Sequence, residues 1–306
     1  MYFGISGEHI SPIFLAAIGF LIGLMGGFFG VGGSFLAGPA LFAYGVPMNF
    51  VVGTDLAHIV GKSIVAAKKH RALGNVDLKL GGIMVIGTIT GVEAGAQLIQ
   101  YLKRHAHIDL IVGSCFIVVL LSIAAFMMWE SWRTLRMQNA RIEEPAPATE
   151  RHDESAFDHI AKWIQSLRIP PMVSLPVSGI AEISLWIIIA VAFMGGFFSG
   201  FLGGGAGYIR MPSLVYVLGI PTHVAVGTDL FEIMISAGYG TFTHALKGNV
   251  DIMIALVMHT GAAIGAQIGA ILTQYFAGPR IRLAFVPLPI IGAGIVIYGL
   301  ITGNHH

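Results

Sequence analysis

The sequence predicts an all-α polytopic membrane protein made of two homologous repeats, each with four long helices and one short broken helix. Three observations carry that prediction. The 306 residues are 55% hydrophobic and only 11% charged, whereas an ordinary soluble domain is about 25% charged. Apolar runs close to the roughly 20 residues a spanning helix needs recur along the chain. Third, a glycine-rich apolar stretch occurs twice. The first copy is Gly26-Gly27-Phe28-Phe29-Gly30 with Gly32-Gly33-Ser34, continuing to Gly53-Thr54-Asp55-Leu56. The second is Gly195-Gly196-Phe197-Phe198-Ser199-Gly200 with Gly203-Gly204-Gly205, continuing to Gly227-Thr228-Asp229-Leu230. Pro47 and Pro221, Asp55 and Asp229, and Asp77 and Asp251 all stand 174 residues apart, so the register holds without a gap over that part; Gly26 and Gly195 stand 169 apart, the second copy having the longer glycine loop.

The elements follow in order. Residues 11–29 form a first spanning helix that stops at the glycine loop. Residues 34–46 are apolar, too short to cross alone, and interrupted at Gly38-Pro39. Residues 48–67 form a second long helix ending at Lys68-Lys69-His70-Arg71, and 80–102 and 108–129 form two more. The second half repeats the order: 184–202, a short 206–220 broken at Pro212, then 223–245, 251–276 and 283–302. The division is therefore 1–130, 131–183 and 184–306. The middle segment, rich in charge and proline, reads as a solvated cytoplasmic linker. Phe157, Ile160, Ile164 and Leu167 could mark a surface amphipathic helix there, or the stretch is loop. Five crossings per half invert the second copy; four leave the halves parallel. Basic residues favour the cytoplasmic side of short loops. Inversion puts Lys68, Lys69, Arg71, Lys79, Arg280 and Arg282 there and leaves Lys103, Arg104 and Lys247 outside, so inversion is the expectation.

Irregular backbone at membrane depth is tolerated only where protein or water surrounds it. Paired glycine breaks in two repeats therefore point to a binding site. A short helix that starts after glycines presents unpaired N–H groups and a positive dipole end, which suit an anion. The expected anion-binding set is Gly32, Gly33, Ser34, Gly203, Gly204 and Gly205, joined by Thr54 and Thr228 of the repeated string and by the cations Lys62 and Arg210. Ionisable residues inside spanning helices are expensive and are candidates for function. Asp55, His58 and Lys62 share one helical face, matched in the second half by Asp229, Glu232 and Ser236. Asp55, Asp229, His58 and Glu232 are the proton-carrying candidates. The alternatives are that the aspartates cap a helix, or that Asp55 pairs with Lys62 or Arg210. Glu93, Gln97, His259 and Gln267 could line the same cavity. His70 and His244 read as helix ends at the membrane surface. Gly91 with Gly95, and Gly261 with Gly265, read as close helix packing.

The strings Gly-Gly-Phe-Phe-(Gly/Ser), Gly-(Val/Ile)-Pro, Val-Gly-Thr-x-Leu and His-x3-Gly-Asn-Val-Asp, each present twice, resemble the sulfite exporter TauE/SafE family, also called the 4-toluene sulfonate uptake permease family. The likeness covers about residues 11–128 and 184–302. It implies a multi-pass transporter of the bacterial inner membrane that moves sulfite or small organosulfonates. The chain departs from that pattern at Asp55 and Asp229, where many members carry serine, and at Arg210.

The expected function is thus a secondary exporter of sulfite or an organosulfonate, coupled to protons or to the membrane potential. Import of the same or another small anion, or a passive anion channel, are the alternatives. An enzyme is not expected, since neither His-Glu-x2-His nor Gly-x-Ser-x-Gly occurs, and no Gly-x4-Gly-Lys-(Ser/Thr) string marks a primary pump. No cofactor and no metal are expected, and one cysteine, Cys115, excludes a disulfide framework. The expected partners are the anion and the lipid bilayer. A net charge of +1 gives no reason to expect nucleic acid, and monomer and homodimer both stay open.

Overall fold

The computed structural model describes residues 2–3, 8–30, 34–104, 108–142, 158–203, 207–276 and 278–302. The chain forms α1 (Pro12–Phe29), α2 (Ser34–Ala43), α3 (Met48–Ala72), α4 (Leu78–Leu102) and α5 (Ile108–Ile142). After α6 (Asp158–Ser166) come α7 (Leu185–Leu202), α8 (Gly207–Tyr216), α9 (Thr222–Leu246), α10 (Ile252–Leu272), α11 (Gly278–Phe285) and α12 (Pro287–Thr302). Two small antiparallel hairpins accompany them, β1 (Tyr2–Phe3) with β2 (Glu8–His9) and β3 (Met172–Leu175) with β4 (Ile180–Ser184). Among the described residues, seven helical stretches are long and apolar enough to cross a membrane: Pro12–Phe29, Met48–Ala72, Leu78–Leu102, Ile108–Arg133, Leu185–Leu202, Ile252–Tyr275 and Leu283–Thr302. This is a helical multi-pass membrane protein.

Helix packing rests on glycines spaced four apart. Gly19, Gly23 and Gly27 of α1 lie directly on the backbone of α10 at Met258, Ala262 and Ala266, and Gly261, Gly265 and Gly269 of α10 return the contact at Ala16, Phe20 and Leu24. Gly87, Gly91 and Gly95 of α4 meet α7 at Ile189, Phe193 and Phe197, and Gly196 and Gly200 of α7 meet Thr88 and Val92. A side chain at any of these contacts would enter neighbouring backbone, and between helices in lipid close backbone approach supplies the attraction. Gly91, Gly95, Gly261 and Gly265 thus sit where close packing was expected. Gly26, Gly27, Gly195 and Gly196 also lie inside helices rather than in loops.

Numbering rises together across both contacts, so α1 runs parallel to α10 and α4 to α7. In the centre α3 and α9 run antiparallel, because Gly53 meets Asn249 and Gly227 meets Asn75. Tight turns with left-handed Gly74 and Gly248 reverse the chain from α3 to α4 and from α9 to α10. Accordingly α1, α3 and α10 point one way, and α4, α7 and α9 the other.

Several boundaries differ from the sequence expectation. α3 continues to Ala72 through its basic end, and α5 continues thirteen residues past Trp129, to Ile142. Pro39 and Pro212 do not break α2 and α8 but lie inside them; each removes one N–H from the ladder, and the short helix persists around it. In the linker, Leu175, Ile180 and Ile183 of the β3–β4 hairpin are buried, Ser178 Oγ donates to Asp77 Oδ2 at 2.7 Å, and Lys79 Nζ donates to the Ser174 carbonyl at 2.8 Å. α6 is a helix, and Gln165 Nε2 donates to the Leu218 carbonyl at 2.8 Å, docking α6 on the turn before α9. Phe157 and residues 143–156 lie outside the described residues. Trp129, Trp132, Trp163 and Trp186, all the tryptophans of the chain, are exposed at this end, as an interfacial aromatic belt requires.

Candidate functional site

The central helices α3 and α9 are held by a reciprocal clasp between the two repeated strings. Thr54 Oγ1 accepts the amide of Asp251 at 2.8 Å, and Thr228 Oγ1 accepts the amide of Asp77 at 2.9 Å. Each of those aspartates caps the next helix: Asp77 Oδ1 accepts from Leu80 N, and Asp251 Oδ1 from Met253 N and Ile254 N. Gly53 and Gly227 stand beside the threonines because the partner turn lies against the helix there. Thr54 and Thr228, expected in the anion site, therefore bond the helix–turn–helix of one half to the central helix of the other.

The glycine stretches end α1 and α7. Gly30 takes a left-handed conformation after α1 and Gly203 a positive φ after α7. Gly30 rests on Val226 of α9, and Gly203 on Val52 of α3. Gly32, Gly33, Gly204 and Gly205 lie outside the described residues, as does the side chain of Ser34. His70 and His244 are not at the surface. Both are buried, and each donates to a carbonyl in the last turn of the adjoining glycine helix, His70 Nε2 to Gly27 at 2.9 Å and His244 Nε2 to Gly200 at 3.0 Å. They satisfy orphan acceptors at two helix C-termini and tie those ends to α3 and α9.

Above this frame sit two clusters of buried charge at equivalent positions of α3 and α9. In the first, His58 Nδ1 lies 3.1 Å from Asp55 Oδ1 and Lys62 follows one turn on; Asp55, His58 and Lys62 are all at most 1% exposed. The His259 ring of α10 lies over Gly61 and reaches the His58 backbone. Asp55 Oδ2 and His58 Nε2 are buried without a hydrogen-bond partner. In the second cluster Arg210, brought in by α8, pairs through Nε with Asp229 and through Nη1 with Glu232 Oε2 at 2.6 Å. Ser236 Oγ donates to the same Glu232 oxygen at 3.3 Å, and Thr88 Oγ1 of α4 lies 3.5 Å from Nη1. Arg210, Asp229, Glu232 and Ser236 are wholly buried.

Helix capping by Asp55 and Asp229 is ruled out, because α3 and α9 begin seven residues earlier, behind Pro47 and Pro221. The carboxylates belong to ion pairs. The expected partner of Arg210 was an anion or Asp55; the partners found are Asp229 and Glu232. Glu93 stands apart, a third exposed, bonded to Lys247 Nζ at 3.1 Å, Thr243 Oγ1 at 2.6 Å, Tyr239 and Gln97. Thr88 was not anticipated. It is an ordinary residue of an apolar run, and its partner Arg210 comes from another helix.

The geometry separates charge. The second cluster carries one guanidinium and two carboxylates, so it is one positive charge short unless a proton joins it. The first carries a carboxylate, an ammonium and an imidazole, so it is neutral or positive. Charges buried this deeply must be paired or take a partner from outside. Among the described residues no group of three or more His, Cys, Asp or Glu side chains is arranged to hold a metal ion.

The family model described as sulfite exporter TauE/SafE matches residues 15–296. The chain is 23% identical over 302 residues to the probable membrane transporter protein YunE of Bacillus subtilis (strain 168), covering 96% of this chain and all of that one. It is 23% identical over 283 residues to the probable membrane transporter protein YjnA of the same organism, covering 92% and 94%. A further relative is the probable membrane transporter protein MJ0441 of Methanocaldococcus jannaschii, 23% identical with 88% and 89% covered. No solved structure matches the chain.

Proposed function

The chain belongs to the sulfite exporter TauE/SafE family, and from that premise we propose that this membrane transporter exports sulfite or a small organosulfonate across the bacterial inner membrane as a secondary, proton- or potential-coupled carrier. The observation that carries the reading is the pair of unlike charge clusters at equivalent positions of α3 and α9. The anion is assigned to the Asp55–His58–Lys62 side, where the Lys62 ammonium supplies the attraction. The coupling proton is assigned to the Arg210–Asp229–Glu232 side, whose surplus carboxylate is relieved by protonation. Uptake of a proton there alters how tightly Arg210 holds α8 against α9, which gives the two occupancies a mechanical link.

The opposed directions of α1 and α7, of α3 and α9, and of α4 and α10 support reading the halves as inverted copies, with the site between them. Rocking one half against the other about the threonine clasp then exposes the site to each side in turn.

Purified protein in proteoliposomes tests this. The reading expects saturable sulfite flux that follows an imposed pH gradient or membrane potential and shows counterflow. Flux that neither saturates nor supports counterflow would identify a channel instead.

A further inference from the structure

We propose that Thr88 of α4 is a positioning residue for the coupling proton: its hydroxyl donates to Glu232 while that carboxylate is charged and turns to the Ala192 carbonyl of α7 when Glu232 takes the proton. The inference rests on the reading of the Arg210–Asp229–Glu232 cluster as the proton side. Thr88 is 0% exposed. Its Oγ1 lies 3.5 Å from Arg210 Nη1, the nitrogen that pairs with Glu232 Oε2 at 2.6 Å, and is within hydrogen-bonding reach of Glu232 itself. It also lies 3.3 Å from the Ala192 carbonyl. A threonine hydroxyl has one hydrogen and two lone pairs, so it can accept from Arg210 while donating to one of the other two. The charged acceptor wins, because charge-assisted hydrogen bonds are roughly twice as strong as neutral ones. Protonating Glu232 removes that advantage and frees the hydrogen for α7, so the proton changes which helix α4 holds.

The hydroxyl goes with the arginine and not with the helix packing. Gly196 of α7 meets Thr88 as Gly23 of α1 meets Ala262 of α10. By these helix contacts Ala262 is the equivalent of Thr88, and Ile22 that of Gly195. Pro39 and Pro212, each the sixth residue of its short helix, equate Ala37 with Arg210. The first half thus has Ile22, Ala37 and Ala262, all buried, where the second has Gly195, Arg210 and Thr88. Glycine at 195 makes room for the arginine, since a Cβ there would stand 3.1–3.4 Å from Arg210 Cβ, Cγ and Cδ.

Asp229 and Arg210 are the charged groups that face Glu232 from α9 and α8. α1 and α7 carry no titratable residue. On the other neighbours, His70 of α3 is bonded to the Gly27 carbonyl, Glu93 of α4 to Lys247, and Glu130 of α5 accepts from Tyr216 Oη at 2.7 Å. Arg280 of α11 is exposed.

The test follows the protonated-carboxyl infrared band of the purified full chain through a pH titration, with Glu232→Gln identifying the band. Thr88→Val keeps the shape without the hydroxyl, and Thr88→Ala copies the equivalent position. Each should move the midpoint to less acidic pH by roughly one unit, a tenfold change in proton affinity, because charged Glu232 has lost a donor. Thr88→Ser should titrate as the parent does. A parental midpoint in Thr88→Val and Thr88→Ala, whatever their melting temperatures, leaves only a bond between α4 and α7 and overturns the inference, as does a shift towards acid. A band untouched by Glu232→Gln takes the proton away from Glu232 and overturns the proton reading as well.

Discussion

Replacing Arg210 by methionine removes the guanidinium that pairs with two carboxylates, Asp229 and Glu232, which the fold keeps entirely from solvent. Asp229 loses its Nε partner and Glu232 its 2.6 Å partner on Nη1. Asp229 Oδ2 and Glu232 Oε1 already have no hydrogen bond, and the Ser236 hydroxyl, 3.3 Å from Glu232 Oε2, is too weak a donor to replace a guanidinium. Stripping one member from a buried ion pair costs about 3–5 kcal/mol, because the remaining charge is stranded. With two carboxylates stranded on one helix face, the upper part of that range applies, a fall in melting temperature on the order of 10 °C. The assay is thermal unfolding of detergent-purified protein, read by tryptophan fluorescence. The triple variant Arg210→Met, Asp229→Asn, Glu232→Gln should recover most of the loss, since apolar or neutral groups of like size replace buried ions with little penalty. An Arg210→Met protein that melts with the parent would refute the pairing, and with it the assignment of Arg210 to coupling rather than to the anion.

Other predictions follow from the frame and the charge separation. Thr54→Val and Thr228→Val each strand a buried amide, at Asp251 and Asp77, and should each lower stability by about 1–3 kcal/mol. As the two clasps lie at opposite ends of α3, their losses should add; a neutral double variant would remove the clasp. Gly91→Ala drives a methyl into the backbone of α7 at Phe193 and Phe197 and should destabilise by about 1–3 kcal/mol, whereas Gly82→Ala, with open space around it, should be neutral or better. Equal melting of those two variants would contradict the α4–α7 contact. Glu232→Gln should flatten the dependence of flux on the pH gradient, and a parental profile would move the proton elsewhere.

How much of this was legible in the sequence depends on how local the cause is. The first helix, expected over 11–29, is found at Pro12–Phe29, because the length of an apolar run is a local property. The register of the two halves was equally plain. The continuation of α5 to Ile142 was not, since arginines on a helix and arginines in a loop look alike in sequence. Pro39 and Pro212 signal interruption, yet a ten-residue helix loses only one bond to each. Arg210 stood out as a charge among apolar residues, but its partners lie on α9, past the turn that follows α8. For Thr54 the partner is 197 residues away, and no pattern within one helix records it. His70 and His244 were visible in a repeated string; their role became clear only once α1 and α7 were seen to end against them.

Counterflow of labelled sulfite in proteoliposomes, run on the parent and on Lys62→Gln in parallel, tests the central claim most directly. The charge separation predicts saturable exchange in the parent and its loss in Lys62→Gln, with Asp229→Asn still exchanging because exchange needs the anion side alone. Undiminished exchange in Lys62→Gln would contradict the placement of the anion on α3.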